Sequence, residues 1–207
     1  KGPLFPLLRK VFVQNELVKE ELVRFHDFRP ENVIVIGWLQ MDSYPEARRV
    51  SVSRENFLPG LGVAESSKVI LFALNTPRLG RHERQIARAL YRRVIADEFG
   101  QQAILVLRCH PLDIAWQERW SEFLDSPRVI VDFPKLQSFE QLAASILYSE
   151  VIISSAGSFY LDSLALEKPT IGLAWEDKSL SFFDRPARAY EMEHLKPMRE
   201  IGGSLVK

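Results

Sequence analysis

The feature that most restricts this fold is an alternation that begins at Lys68. Short apolar runs rich in β-branched residues recur: VILFALN (69–75), QAILVLR (102–108), RVIVDF (128–133), VIISS (151–155) and PTIGLAW (169–175). Between them lie RHERQIARALYRRVIADEF (81–99), DIAWQERWSEFLD (113–125), SFEQLAASILYS (138–149) and SFYLDSLALE (158–167), where apolar residues fall at helical spacing. Near-continuous apolar strands separated by helices indicate a parallel sheet covered on both faces. The fold class expected is therefore α/β, a Rossmann-like parallel sheet with helices on both faces. The spacing sends Ile86, Leu90, Val94 and Ile95 of one helix, and Ile114, Trp116, Trp120, Phe123 and Leu124 of the next, toward the core. Ser138 with Gln141 three residues on forms a capping box for a third.

The first thirty residues break this rhythm. KVFVQN (10–15) reads as a strand and ELVKEELVRFH (16–26) as an amphipathic helix. ENVIVIGWLQMDSY (31–44) reads as a strand, a glycine turn and a polar loop. The tail from Ser179 is more polar, with a helix expected around Ala189 to Glu200, then Gly202-Gly203 and a short apolar end.

Bulk properties set outer limits. A chain of 207 residues, 46% of them hydrophobic, supports one good-sized core, or one domain and part of another. Basic and acidic residues number 27 each, whereas a protein that tracks a nucleic-acid backbone carries a basic excess, so no nucleic-acid partner is expected. Cys109 is the only cysteine, which rules out an intrachain disulfide and a cysteine-based zinc site and suits a reducing compartment. No apolar run approaches the roughly 20 residues that span a bilayer, and no signal peptide is visible. The chain starts at Lys1 rather than Met and reads as part of something longer.

In open parallel sheets the ligand sits at the carboxyl ends of the strands. Here those ends are Asn75-Thr76-Pro77, Arg108-Cys109-His110-Pro111, Asp132-Phe133-Pro134, Ser154 to Ser158, and Trp175-Glu176-Asp177. In the fourth, Ser154, Ser155, Gly157 and Ser158 precede a helix, whose N-terminus offers unpaired N–H groups and partial positive charge to an anion. Asp162, one turn on from Ser158, could accept hydrogen bonds from ribose or sugar hydroxyls beside a phosphate. With equal weight, the serines simply cap the helix and Asp162 favours its dipole. Arg108 and His110 suit a diphosphate or a carboxylate, or a single salt bridge to a neighbouring loop. His194 is a candidate second imidazole for the same cleft, although a lone histidine on a surface helix is more often merely exposed; His82 follows the first strand end and could approach it too. Arg81, Arg84, Arg88 and Arg92 share one helix face, which reads most simply as a solvated stripe and otherwise as a contact for anionic lipid or nucleic acid. No Walker loop, zinc-ligand pair or nucleophile elbow occurs.

In this order, these pieces resemble the C-terminal half of GT-B-fold sugar transferases, especially bacterial capsule or surface-polysaccharide transferases and CDP-glycerol glycerophosphotransferases. UDP-N-acetylglucosamine 2-epimerases are more distant. The resemblance rests on FVQNELVKEELVRFH with VIVIGWLQMDSY, VILFALNTP, LRCHP and VIISSAGSFYLDSLALEKPTIGL, and runs from about Val11 to Leu173. It implies that residues 1–30 end an N-terminal domain and connect it to a nucleotide-donor-binding domain at 31–207. Gly37 and Asp42 match the Gly…Asp pattern that opens that domain. The donor diphosphate would lie near Ser154, Ser155, Gly157 and Ser158, with Arg108 and His110 near its phosphates, Asp162 on the ribose and His194 in the same cleft. The substrate implied is a nucleotide-sugar or CDP-polyol, with a carbohydrate or lipid-linked acceptor. No cofactor and no essential metal is expected, because N–H dipoles and cationic side chains stabilise the departing nucleotide. A catalytic base would come from the missing N-terminal half, and the setting would be cytoplasmic, at the inner face of the membrane. Two alternatives stand beside this one. A 2-epimerase-like enzyme would need cleft carboxylates, for which Asp132, Glu176 and Asp177 are the candidates. A non-catalytic module would use the arginine stripe on a membrane or partner.

Overall fold

Alternate residues of each apolar run face opposite layers, and this is what the structure shows. The computed structural model describes residues 9–47, 52–134, 139–155, 157–174, 178, 181, 185–192 and 205–206. The elements in order are β1 (Val11–Val13), α1 (Glu16–His26), β2 (Val33–Val35), α2 (Tyr44–Ala47), α3 (Arg54–Gly60), β3 (Lys68–Ala73), α4 (Glu83–Ile95), β4 (Ala103–Arg108), α5 (Trp116–Arg119), β5 (Val129–Asp132), α6 (Phe139–Leu147), β6 (Ser149–Ser155), α7 (Ser158–Ala165), β7 (Thr170–Leu173), α8 (Pro186–Ala189) and β8 (Leu205–Val206).

Six of the strands form one sheet in the order β5-β4-β3-β6-β7-β8, with every neighbouring pair parallel. Ile70, Phe72 and Leu74 meet Leu105, Leu107 and Ile153 on one face, under Ala87 and Val94 of α4 and the buried Trp120 and Phe123. Val69 and Leu71 meet Val106 and Ile152 on the other, under Tyr44, Leu58, Ala143 and Ile146. The expected helices-on-both-faces architecture is thus present. Numbered from its own first strand, the sheet runs 3-2-1-4-5-6, the Rossmann order, and its connections reverse direction between β3 and β6. That reversal opens a crevice at the carboxyl ends of those two central strands.

A separate two-stranded parallel sheet joins β1 to β2, taking one strand from each side of position 30. Val13, Phe28 and Val33 bury against Val18, Leu22 and Val23 of α1 to form a small core of their own. The α1 start is capped by Asn15, whose Oδ1 accepts the Val18 N–H at 2.9 Å. Gly37, just after β2, takes φ +81°, a left-handed conformation that a side chain would strain.

Three expectations change. The 113–125 segment is two short turns, α5 and a 3-10 turn at Ser121–Phe123, instead of one helix. Trp116, Trp120 and Phe123 lie four and three residues apart and pack inward, but Ile114 lies two before Trp116 and so points away; it is 92% exposed. Ile95 and Leu124, also read as core, are exposed as well. Helices α2, which starts at Tyr44 where the expected polar loop ends, and α3 occupy a region for which no element is expected, and Leu58 of α3 is wholly buried. In the tail, α8 ends at Ala189, where the expected helix was to begin; positions 193–200 and Ser138 of the capping box lie outside the described residues.

Candidate functional site: a cleft at the sheet reversal

At the carboxyl ends of β3, β4 and β6 lies a cleft of about 750 Å³. Arg108, His110, Ser154, Ser155, Gly157, Ser158 and Asp162 all line it, so seven of the eight anticipated site residues converge on one place. His194 lies outside the described residues, as do Glu176 and Asp177. His82 does not line the cleft; it sits at the N-cap of α4.

The α7 terminus differs from the capped helix that the serines allow. Gly157 is the N-cap residue, and no side chain caps the helix. The Ser154 hydroxyl donates instead to the Ser155 carbonyl at 3.0 Å. The Ser155 and Ser158 hydroxyls make no hydrogen bond among the described residues. Gly157 has extended backbone (φ 170°) that any residue adopts, and a Cβ on it would meet nothing within 4 Å. The protein itself therefore has no need of glycine there; the missing side chain keeps the approach to the helix end open.

Asp162 lies one turn into α7 and is 3% exposed. Gln40, from the 3-10 turn Leu39–Ser43 after β2, donates from Nε2 to Asp162 Oδ1 at 3.1 Å. The buried Tyr44 hydroxyl stands close to both but makes no well-formed hydrogen bond. Burial pushes the Asp162 carboxyl above its usual range. One buried, incompletely satisfied acid beside a helix N-terminus is suited to accept hydroxyl hydrogens next to a bound anion.

Arg108 and His110 leave β4 in different states. Arg108 Nη1 donates to Asp132 Oδ2 at 2.7 Å, with both side chains largely buried. The two residues are cross-strand partners in the β4–β5 register. Burial lowers the Arg108 pKa, which Asp132 partly offsets. Its guanidinium also stands over the Phe159 ring at 5.9 Å. Asp132, a candidate acid for the epimerase alternative, is thereby committed to an ion pair. His110 Nδ1 accepts the Leu112 N–H at 3.1 Å, which leaves the ring proton on Nε2 as a donor.

The arginine stripe is partly spoken for. Arg84 and Arg88 both pair with Glu122, at 3.1 and 2.7 Å. Gln40, which no sequence signal marks, lines the cleft, as do Phe133 and Pro134, expected only as part of a strand end. Phe133 stacks on Trp116 with ring centroids 5.5 Å apart and planes 8° from parallel. No periodicity pairs those positions; only the fold brings them together.

By sequence, no protein-family pattern and no curated protein matches this chain. By structure, the match is extensive. It superimposes on the wall teichoic acid polymerase TagF at TM-score 0.60 and 17% identity, over 96% of this chain and 45% of TagF. The UDP-GlcNAc 2-epimerase of Methanocaldococcus jannaschii aligns at TM-score 0.58 and 14% identity, over 96% of this chain and 50% of the other. That of Neisseria meningitidis, bound to UDP-GlcNAc, aligns at 0.62 and 18%, over 88% and 47%. The fold is GT-B-type. The chain spans about half the length of these structures, an extent that fits a C-terminal-like GT-B domain.

Proposed function

We propose that this chain is the donor-binding domain of a glycosyltransferase or glycerophosphotransferase that builds a surface or capsular polymer. The observation that carries this reading is the uncapped α7 terminus opening into the cleft, with a buried carboxylate one turn beyond it. The α7 N–H groups and the His110 Nε2–H would hold the diphosphate of a nucleotide-sugar or CDP-polyol. Asp162 would take the ribose hydroxyls, displacing Gln40. Both kinds of ligand contact come from groups of this chain, so donor binding is proposed to need no essential metal.

The small β1–β2 sheet supports a second domain. Phe12 and Ile34 are register partners on the face opposite α1, and they are 61% and 37% exposed. Parallel sheets are normally covered on both faces, and two strands alone are marginal. That sheet joins β1 before position 30 to β2 after it, and on this proposal the segment through position 30 is the end of an acceptor domain and its connection, a domain that would supply the carbohydrate or lipid-linked acceptor site and the catalytic base. A cytoplasmic setting at the inner membrane face belongs to the same reading. Among the described residues no helix is long and apolar enough to cross a membrane.

Calorimetric titration with UDP, CDP, GDP and CMP, with and without EDTA, tests donor binding. One of these is expected to bind, unaffected by EDTA. Asp162→Asn is expected to weaken it about tenfold, since one hydrogen bond to a charged group is lost. If none binds at about 1 mM, a level at which even contacts totalling about 4 kcal/mol register, the proposal fails.

A further inference from the structure

Beside the α7 terminus, the end of β3 carries a second polar assembly drawn from distant positions. Glu83 opens α4 and is fully buried. Its Oε1 and Oε2 accept the Asn75 backbone N–H at 2.9 and 3.1 Å. Arg119, the last residue of α5, donates from Nη1 to the Asn75 carbonyl at 3.3 Å and to Asp113 Oδ2 at 2.9 Å. From Nη2 it donates to the Gly80 carbonyl at 2.6 Å and to Glu83 Oε2 at 3.3 Å. Both main-chain groups of Asn75 are therefore held, the N–H by a carboxylate and the carbonyl by a guanidinium. Gly80 leaves room for this arrangement: a Cβ there would stand 2.0 Å from Glu83 Oε2 and 2.8 Å from Arg119 Nη2.

Buried ion pairs contribute little net stability, because desolvation offsets the attraction; in this one both members also hold the Asn75 main chain. The residue fixed here is the one that β3 delivers to the cleft at the sheet reversal. Asn75 lines the cleft, and its carboxamide stands close to the Glu83 carboxylate without a well-formed hydrogen bond to it. A polar residue that lines a cleft, with its backbone immobilised and its carboxamide steadied by a neighbouring acid, is the arrangement that selective recognition requires.

We propose that Asn75 is a ligand-contacting, specificity-determining residue, held in place by Glu83 and Arg119 as positioning residues, and that its carboxamide hydrogen-bonds a hydroxyl of the group the donor carries beyond its diphosphate. This rests on the donor-binding reading above. A carboxamide both donates and accepts, whereas phosphate oxygens only accept and already face the α7 N–H groups and His110. A sugar or polyol hydroxyl also does both, and so matches Asn75 on each count.

The test compares whole donors with their diphosphate remnants: CDP-glycerol against CDP, and UDP-GlcNAc against UDP, by calorimetry on this chain. Asn75→Ala is expected to weaken the preferred donor about tenfold and to leave the matching diphosphate unchanged. Glu83→Gln and Gly80→Ala, with melting curves to confirm folding, are expected to show the same selective loss. The Asn75→Ala/Glu83→Gln double variant should bind no worse than Asn75→Ala alone, because both act on one contact. A general structural role would instead weaken donor and diphosphate alike and make the losses additive. If wild-type protein binds neither donors nor diphosphates, the donor-binding reading falls. If it binds them and Asn75→Ala loses nothing, or loses both equally, the assignment of Asn75 is overturned while that reading stands.

Discussion

Replacing Arg108 with alanine is expected to cost about 3–5 kcal/mol of stability, the largest effect of any single change at the cleft. Arg108 and Asp132 face one another across the β4–β5 register, 2.7 Å apart at their nearest atoms, and only 7% and 13% of their side chains are exposed. Removing the guanidinium strands the carboxylate in a buried position. The remaining ways to satisfy it are protonation, water entry or local opening, and each is unfavourable. Urea denaturation should show the loss directly. The double variant Arg108→Met/Asp132→Leu removes both charges and should recover most of it, as apolar replacements of buried pairs do. If Arg108→Ala were as stable as wild type, Asp132 would have to be well solvated and the ion pair would carry no structural weight. The pair of variants also separates two roles. Loss of nucleotide binding in Arg108→Ala alone could come from collapse of this corner. Loss in the stable double variant would mean that the arginine charge itself acts on the donor phosphates.

The second large effect is a dependence of stability on pH that passes through Glu83. Burial raises its carboxyl from the usual 4.5 to about 7, against the opposing pull of the Asn75 N–H and Arg119. A group with a raised folded-state pKa binds more protons in the native than in the unfolded state between those two values. Its contribution to stability is therefore fully present below about pH 4.5 and is lost as pH rises to about 7. The size of the change is roughly 3 kcal/mol, from about 1.4 kcal/mol for each unit of displacement. Other carboxylates titrate in the same range, so the informative quantity is the difference between wild type and Glu83→Gln. That difference should shift by about this amount between pH 4.5 and 7, in the direction of relative loss by the wild type as pH rises. A flat difference would mean that Arg119 and the Asn75 N–H keep the carboxylate ionised throughout, as in an ordinary ion pair.

Much of this molecule can be read along the chain, and the reason is that its information is local. Strand runs such as VILFALN must have both faces covered, and that alone implies parallel strands with helices on either side. The positions at strand ends follow from the same reading, and Arg108, His110, Ser154, Ser155, Gly157, Ser158 and Asp162 do line one cleft. Errors arose where periodicity was stretched over too long a window. Ile114 was joined to the Trp116–Trp120–Phe123 stripe although it lies on another side of the turn. Helices α2 and α3 were missed because short helices carry too little periodic signal.

The sequence by itself determined the alternation of strands and helices, the polar strand ends, and a helix start furnished with glycine and serine. Only the tertiary structure decided the strand order, which places β6 beside β3 and makes those ends one cleft. Only it showed that α7 is left uncapped, that Arg108 is paired with Asp132, and that Asn75 is held by residues eight and forty-four positions away. The physical reason is range. Periodicity and propensity act within a few turns of chain, whereas the partner of a buried charge is set by how whole layers pack.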